Sequence, residues 1–334
     1  MNRQLRILLT VVISIAFLGF ALRGVEWERA YATASQIEVG WLVAVMLGTV
    51  WTLYIRAQRW KVLLRPLGAV PQAPLVHTTN IGFMANMVLP LRAGEIVRPV
   101  LLAQKTQLPL GGVLATIVLE RVFDLLAVIF LFGLATVLVP VSEQVRSLGY
   151  ILLGMGIGLG TVVGVTRWQE ERVLRLWGMV SARLPEFAAE PLNHFVRGFL
   201  KALEVLDRPG TFVEVVVWTG YLWCIIGAVN TFGLVAFSFA LPLLRCGLVL
   251  TAIVALAVSV PSAPGYVGSF QFGCKLALDV FGVEASEALA FSVVLHVSQF
   301  VAILGAGLYS LTREGISFRQ LEEVSKSDVS VSAG

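Results

Sequence analysis

Three arginines and three carboxylates stand where a very apolar chain has little reason to carry charge. Arg92, Glu95 and Arg98 follow Pro90 at intervals of three, with Gly94 among them. A helix would put residues so spaced on nearly one face, and a glycine there lets the backbone turn sharply or approach a ligand. Glu120, Arg121 and Asp124 form the second group, after about ten apolar or small residues. At 1.5 Å per residue Glu120 then lies about 15 Å along its run, close to the middle of a bilayer. An ionised group there costs at least about 2.5–3.5 kcal/mol unless paired or wet, so these side chains must face protein or water. Two chemistries meet that demand and are not exclusive. One is a closed ion-pair network that clamps two segments together. The other is an anion site, in which the planar guanidinium forks hold an anionic headgroup such as phosphate through parallel charge-assisted hydrogen bonds. The acids would then orient the forks or exchange protons.

A second, less charged set comes later: Gly265, Gly268, Gln271, Lys275 and His296. Lys275 could simply pair with Asp279, four residues on. His296 lies as deep in the last apolar run as Glu120 does in its own, with Gln299 one turn further; it is either a satisfied core residue or a site residue. Arg56 and Arg59 end an earlier apolar run and are expected to anchor to lipid phosphates. Cys224, Cys246 and Cys274 lack CxxC spacing and are expected to be small core residues. The three histidines are far apart, and neither a nucleophile–base pair, a metal-ligand spacing nor a phosphate-binding glycine loop is present. That pattern counts against hydrolase and metalloenzyme chemistry, although distant residues can converge in space. The expectation is a protein that is not an enzyme and needs no cofactor or metal. No nucleic-acid-binding pattern occurs.

The elements that must position these residues are helices in a membrane. The chain of 334 residues is 57% hydrophobic and 14% charged, against about 25% charged in soluble domains. This composition predicts an all-α polytopic membrane protein with one unit over residues 1–320. Six full spans are expected at about 5–22, 40–55, 110–139, 150–165, 212–239 and 287–311, the first an uncleaved span rather than a signal peptide. The cluster Arg56, Arg59, Lys61 and Arg65 marks the cytoplasmic side, which places both termini inside and the protein in the plasma membrane. Glycines 154, 156, 158, 160 and 164 suit close helix packing in lipid. Residues 167–210 predict two amphipathic helices on the cytoplasmic surface, as a pinned linker or a gate. Residues 321–334 are expected to be a disordered cytoplasmic tail.

Two apolar stretches are broken and too short to span, since a crossing takes about 20 residues. One breaks at Pro90 and one at Pro261, and in each a glycine follows four residues later, at Gly94 and Gly265. Each half thus reads as span, span, broken hairpin, span, over about 5–139 and 150–311. Three spans are an odd number, so the second half would lie upside down. The expected architecture is an inverted repeat with two oppositely oriented re-entrant hairpins whose tips meet near the midplane, as in many secondary transporters. The alternative is eight full spans, with hairpin arms that cross.

Four segments carry a resemblance to a known family: LPLRAGEIVRPVLL from Leu89, ERVFDL from Glu120, RAQRWKVLL after the second span, and VPSAPGYVGSFQ from Val260. The chain resembles the lysylphosphatidylglycerol synthase/flippase-like membrane domain family over about residues 5–311. The resemblance implies a multi-pass plasma-membrane protein. Members of the family move an aminoacylated phospholipid between leaflets, and others resemble proteins of isoprenoid-linked sugar or hopanoid pathways. Two-domain members add a soluble aminoacyl-transferase domain, which is not expected here, so lysyl transfer is not implied. The family's usual acidic residue after the second glycine turn is replaced here by Phe270-Gln271. The expected function is flippase-type movement of a phosphate-containing lipid, such as an aminoacyl-phospholipid or an isoprenoid-linked lipid. Arg92, Arg98 and Arg121 would contact phosphate; Glu95, Glu120 and Asp124 would balance or relay charge. The alternatives are an integral-membrane enzyme on lipid-linked substrates, with Glu120 or Asp124 as base, and an accessory subunit. The expected partners are the lipid and the membrane, with a homo-oligomer or a separate soluble synthase as further readings.

Overall fold

The computed structural model describes residues 12, 15–19, 21–139, 143–260 and 263–327. Most of the expected first span, residues 328–334, Pro261 and Ser262 lie outside them. The described residues are helical and contain no strand. In chain order the helices are α1 (Trp27–Ser35), α2 (Val39–Leu64), α3 (Gln72–Val88), α4 (Gly94–Thr106), α5 (Leu110–Leu138), α6 (Glu143–Trp168), α7 (Glu170–Ser181), α8 (Glu186–Leu203), α9 (Pro209–Ala236), α10 (Leu243–Ser259), α11 (Ser269–Asp279), α12 (Ala285–Glu314) and α13 (Phe318–Ser327). Among the described residues five helices are long and apolar enough to cross a membrane: α2, α5, α6, α9 and α12. They coincide with the second to sixth expected spans.

The two broken stretches fold alike. Helices α3 and α4 pack against each other across a 3-10 turn at Pro90–Arg92, and α10 and α11 across one at Pro264–Tyr266. In each turn the residues after the proline are left-handed: Leu91 (φ 61°) and Arg92 (54°), Gly265 (67°) and Tyr266 (60°). Such values are uncommon outside glycine and concentrate at functional sites. The counterparts of Pro90 and Gly94 are therefore Pro264 and Gly268, again four apart, and Gly265 is the counterpart of Leu91 instead of Gly94. The turns decide the register, because the proline that opens each one sets the backbone that follows.

Packing repeats under exchange of the halves. Helix α2 lies along α9, and the two turns touch each other. Helix α3 packs on α12 as α10 packs on α5; α4 packs on α5 as α11 packs on α12; α2 packs on α3 as α9 packs on α10. Close helix approach in the first hairpin depends on Gly94, where an added Cβ would collide with the Gly82 carbonyl oxygen.

Three expectations change. Helix α2 continues to Leu64 instead of ending near residue 55, because Arg59 is buried in the bundle and Arg56 is half-buried beside it, and neither is exposed at a helix end. In α6 only Gly156 of the five expected packing glycines meets a neighbour, Ile129, while the other four face open space. Small residues permit close approach, but among the described residues no second helix comes to meet these four. The segment expected to be disordered from 321 begins within α13, where the buried Leu321 joins the core cluster of Leu53, Ile81 and Ile303. The two surface helices of 167–210 form as α7 and α8. Helix α8 is held to the start of α5, where Gly198 sits against Gly111 and Gly112.

Candidate functional site: a cavity between two helical hairpins

The first hairpin turn aims its arginine at the second hairpin. Left-handed backbone at Arg92 removes it from the helical face expected to carry Arg92, Glu95 and Arg98 together. Its Nη2 donates to the carbonyls of Val258 and, at 3.3 Å, Val260, where α10 ends. Its guanidinium lies 5.5 Å from the centre of the Tyr266 ring, the positional counterpart of Arg92 in the other turn. A cation at helix-terminal carbonyls is favoured by their partial negative charge.

Behind the turn lies a network of buried charge. Arg98 on α4 donates to both Glu120 oxygens, at 3.1 and 3.2 Å, with its guanidinium 3.8 Å from the centre of the Trp60 ring. Trp60 is fixed in turn by donating to Thr116 Oγ1 at 2.8 Å. Arg59 reaches from α2 to Asp124 Oδ1 at 2.6 Å and to Glu120 Oε1 at 3.4 Å. Arg121 donates to Glu120 Oε1 at 2.8 Å and approaches Asp124 Oδ2 at 3.5 Å; Arg56 lies 3.8 Å from that same oxygen. Arg59 and Glu120 are fully buried. Arg56 and Arg59 are thus members of this network and not the lipid-phosphate anchors expected from their place near a span end. Burial of charge this deep requires matched partners, and the carboxylates of α5 provide them.

The charges do not cancel. Five arginines (56, 59, 92, 98 and 121) face three carboxylates, and one of these, Glu95, has no ion-pair partner among the described residues. Among the described residues two positive charges are in surplus. The Nε groups of Arg92 and Arg121 are buried without a hydrogen-bond acceptor.

This charge borders a cavity of about 540 Å³. Arg56, Arg92, Glu95, Arg121 and Asp124 line it from the first half of the chain. Among the described residues the wall from α9 to α12 has no Asp, Glu, Lys or Arg: its polar residues are Trp223, Asn230, Thr251, Ser259, Tyr266, His296 and Gln299. Asn230 donates to Thr251 Oγ1 at 2.9 Å. The Gly268 N–H donates to Gln271 Oε1 at 2.8 Å, which turns the Gln271 amide nitrogen toward His296 Nδ1 at 3.0 Å. With Nδ1 accepting, the imidazole is neutral and carries its proton on Nε2. The His296 ring is stacked on Phe270 at 4.5 Å between centroids.

Of the expected site residues, Arg92, Glu95, Arg121, Asp124 and His296 line the cavity. Arg98 and Glu120 stand behind it, and Gly94 sets the hairpin packing. Gly265 and Gly268 shape the second turn with positive φ, and Gln271 orients His296. Lys275 lies away from the cavity and donates to the Ala21 and Arg23 carbonyls at the end of the N-terminal helical segment. Residues with no expected site role join them: Thr49, Thr52 and Arg56 on α2, and Trp223 and Asn230 on α9. A signal for α2 was available, since Thr49, Thr52, Arg56 and Arg59 recur at helical spacing and make one polar stripe through a span.

Glycosyltransferase AglD of Haloferax volcanii is 26% identical over 316 residues, covering 84% of this chain and 50% of that protein. The chain thus spans about half the length of the curated relative it matches. No solved structure matches. Residues 7–307 match the model of the lysylphosphatidylglycerol synthase transmembrane region, and with that match, five long apolar helices and charge held inside the bundle, the chain belongs to this family of multi-pass membrane proteins.

Proposed function

We propose that the protein moves a phosphate-containing lipid between the leaflets of the membrane. The headgroup passes through the cavity between the hairpin turns while the acyl or isoprenoid chains stay in the bilayer. The observation that carries this reading is the surplus of arginine around the cavity: a purely structural network needs no more cations than its acids can match, whereas an anion site does. Phosphate supplies the missing negative charge and the acceptors for Arg92 and Arg121. An aminoacyl-phospholipid and an isoprenoid-linked lipid both meet that description.

The exchange symmetry of the packing supports an inverted repeat, with α3–α4 and α10–α11 as re-entrant hairpins entering from opposite faces. Lys61, Arg65, Lys105 and Arg313 gather at the end where α2, α4 and α12 finish, which supports a cytoplasmic assignment for that end and for the C-terminus. The corresponding location is the plasma membrane, with the N-terminus also inside. A second copy or a separate soluble synthase would be the partner.

A second reading, an integral-membrane enzyme on lipid-linked substrates, is favoured by Glu95, a cavity carboxylate without an ion pair, and by the name of the relative. Glu120 and Asp124 suit a base poorly, since guanidinium groups already hold them. The test is leaflet exchange of headgroup-labelled phospholipids and a polyprenyl phosphate in proteoliposomes. Exchange that Arg92→Ala removes is expected. Chemically altered lipid in detergent, with no exchange in vesicles, would replace the transporter by the enzyme.

A further inference from the structure

The cavity has two walls of different chemistry, and this asymmetry specifies the headgroup more closely than phosphate alone. Resting on the phosphate-lipid reading above, we propose that the headgroup is a phosphodiester joined to an uncharged, hydroxylated group such as a sugar, and that the second half of the chain binds that group.

The walls come from halves that fold and pack alike, so fold does not account for the difference in charge. All the charged residues that line the cavity come from the first half. The facing wall offers uncharged donors and acceptors. Gln299 stands half-buried on the cavity wall, and Trp223 Nε1 is buried without a hydrogen-bond partner among the described residues. Asn230 lines the cavity with its amide nitrogen bonded to Thr251, which leaves its carbonyl oxygen as an acceptor. Neutral His296 and the rings of Tyr266 and Phe270 complete the wall. Hydroxyl groups both donate and accept, as an amide does, and a sugar's C–H faces pack on aromatic rings. A cationic aminoacyl headgroup fits poorly. The facing wall has no carboxylate among the described residues, Glu120 and Asp124 are occupied by arginine, and the one cavity carboxylate without an ion pair, Glu95, stands on the arginine side, where the group carries surplus positive charge. A volume of about 540 Å³ falls within the roughly 300–1,000 Å³ of small-molecule sites.

The experiment measures Kd for purified full-length protein with two monoanionic esters of one tail, octyl methyl phosphate and octyl glucosyl phosphate, and with dioctanoyl lysylphosphatidylglycerol. Equal charge on the two esters isolates the sugar. The wild-type protein is expected to bind the glucosyl ester at least about tenfold tighter than the methyl ester, the effect of two or three neutral hydrogen bonds. Gln299→Leu and Asn230→Ala should each cut that preference several-fold while leaving the methyl ester's Kd unchanged, which also certifies the fold of each variant. Arg121→Ala should weaken both esters alike. Equal affinity for both esters, tighter binding of the lysyl lipid, or a preference that survives both substitutions would overturn the proposal while the phosphate-lipid reading stands. Binding of neither ester would overturn both. A bound glucosyl ester that fails to cross vesicles would remove transport and leave this assignment in place.

Discussion

The two halves of this molecule pair their helices in the same way and are opposite in chemistry. In the first half, α2, α4 and α5 carry a dense arginine–carboxylate network into the bundle. In the second, α11 and α12 place a neutral Gln271–His296 pair at a comparable depth, and α9 and α10 an Asn230–Thr251 pair. The two turns show the contrast at one position: Arg92 in one stands over Tyr266 in the other. One fold can therefore supply both a charged and a neutral wall, because packing of small and apolar residues holds the helices while the cavity-facing positions are left to vary. The difference also separates two roles for charge. Arg59, Arg98 and Glu120 are sealed away, as a structural network would be; Arg56, Arg92, Glu95, Arg121 and Asp124 reach the cavity, as a binding site would.

The sharpest way to break the comparison is to remove the acid at the centre of the charged half. Glu120→Ala leaves Arg59 and Arg98 buried with one or no counter-charge and should destabilise by about 3–5 kcal/mol, seen as a large fall in the detergent melting temperature or loss of monodisperse protein. His296→Ala, the neutral counterpart, should cost clearly less. A similar loss for both would show that the charged network is no more structural than the neutral one. Next is Arg92→Ala, for which leaflet exchange should disappear with insertion and folding intact; unchanged exchange in this variant and in Arg121→Ala would remove arginine from the transport step.

Smaller effects test the hairpins. Gly94→Ala forces a methyl group against the Gly82 carbonyl and should destabilise by about 1–3 kcal/mol. Gly273→Ala in the second hairpin, whose Cβ would meet Ala257 Cβ at 2.9 Å and Val254 Cα at 3.0 Å, should cost less, because both approaches are longer than that of a Gly94 Cβ to the Gly82 carbonyl and need a smaller shift of the helices. Thermal melts of the two variants side by side decide it. The smallest effect is expected at the rim, where Arg65 pairs with Glu214 in the open; Glu214→Gln should change stability by at most about 1 kcal/mol.

Much of this architecture was legible without coordinates. The apolar runs located five long helices, and the prolines marked both broken stretches, because bilayer thickness and the missing proline N–H act on local sequence. That Arg92, Glu95, Arg121, Asp124 and His296 would be turned inward was legible for the same kind of reason, since charge or a histidine within an apolar run needs a partner or a purpose; the structure places all five on one cavity. What sequence alone misread were matters of distance across the chain. Arg56 and Arg59 looked like a span's polar end, since nothing nearby shows that α5 brings two carboxylates to meet them. The repeat's register was placed three residues early, because either proline gives a spacing of four and only the turn geometry distinguishes them. That four of the five α6 glycines meet no neighbour among the described residues, and that one wall of the cavity is charged while the other is neutral, follow from which helices face each other. Local composition determines that a segment is a helix and where it breaks; only tertiary packing decides which side chains share a space, because those contacts join residues a hundred or more positions apart.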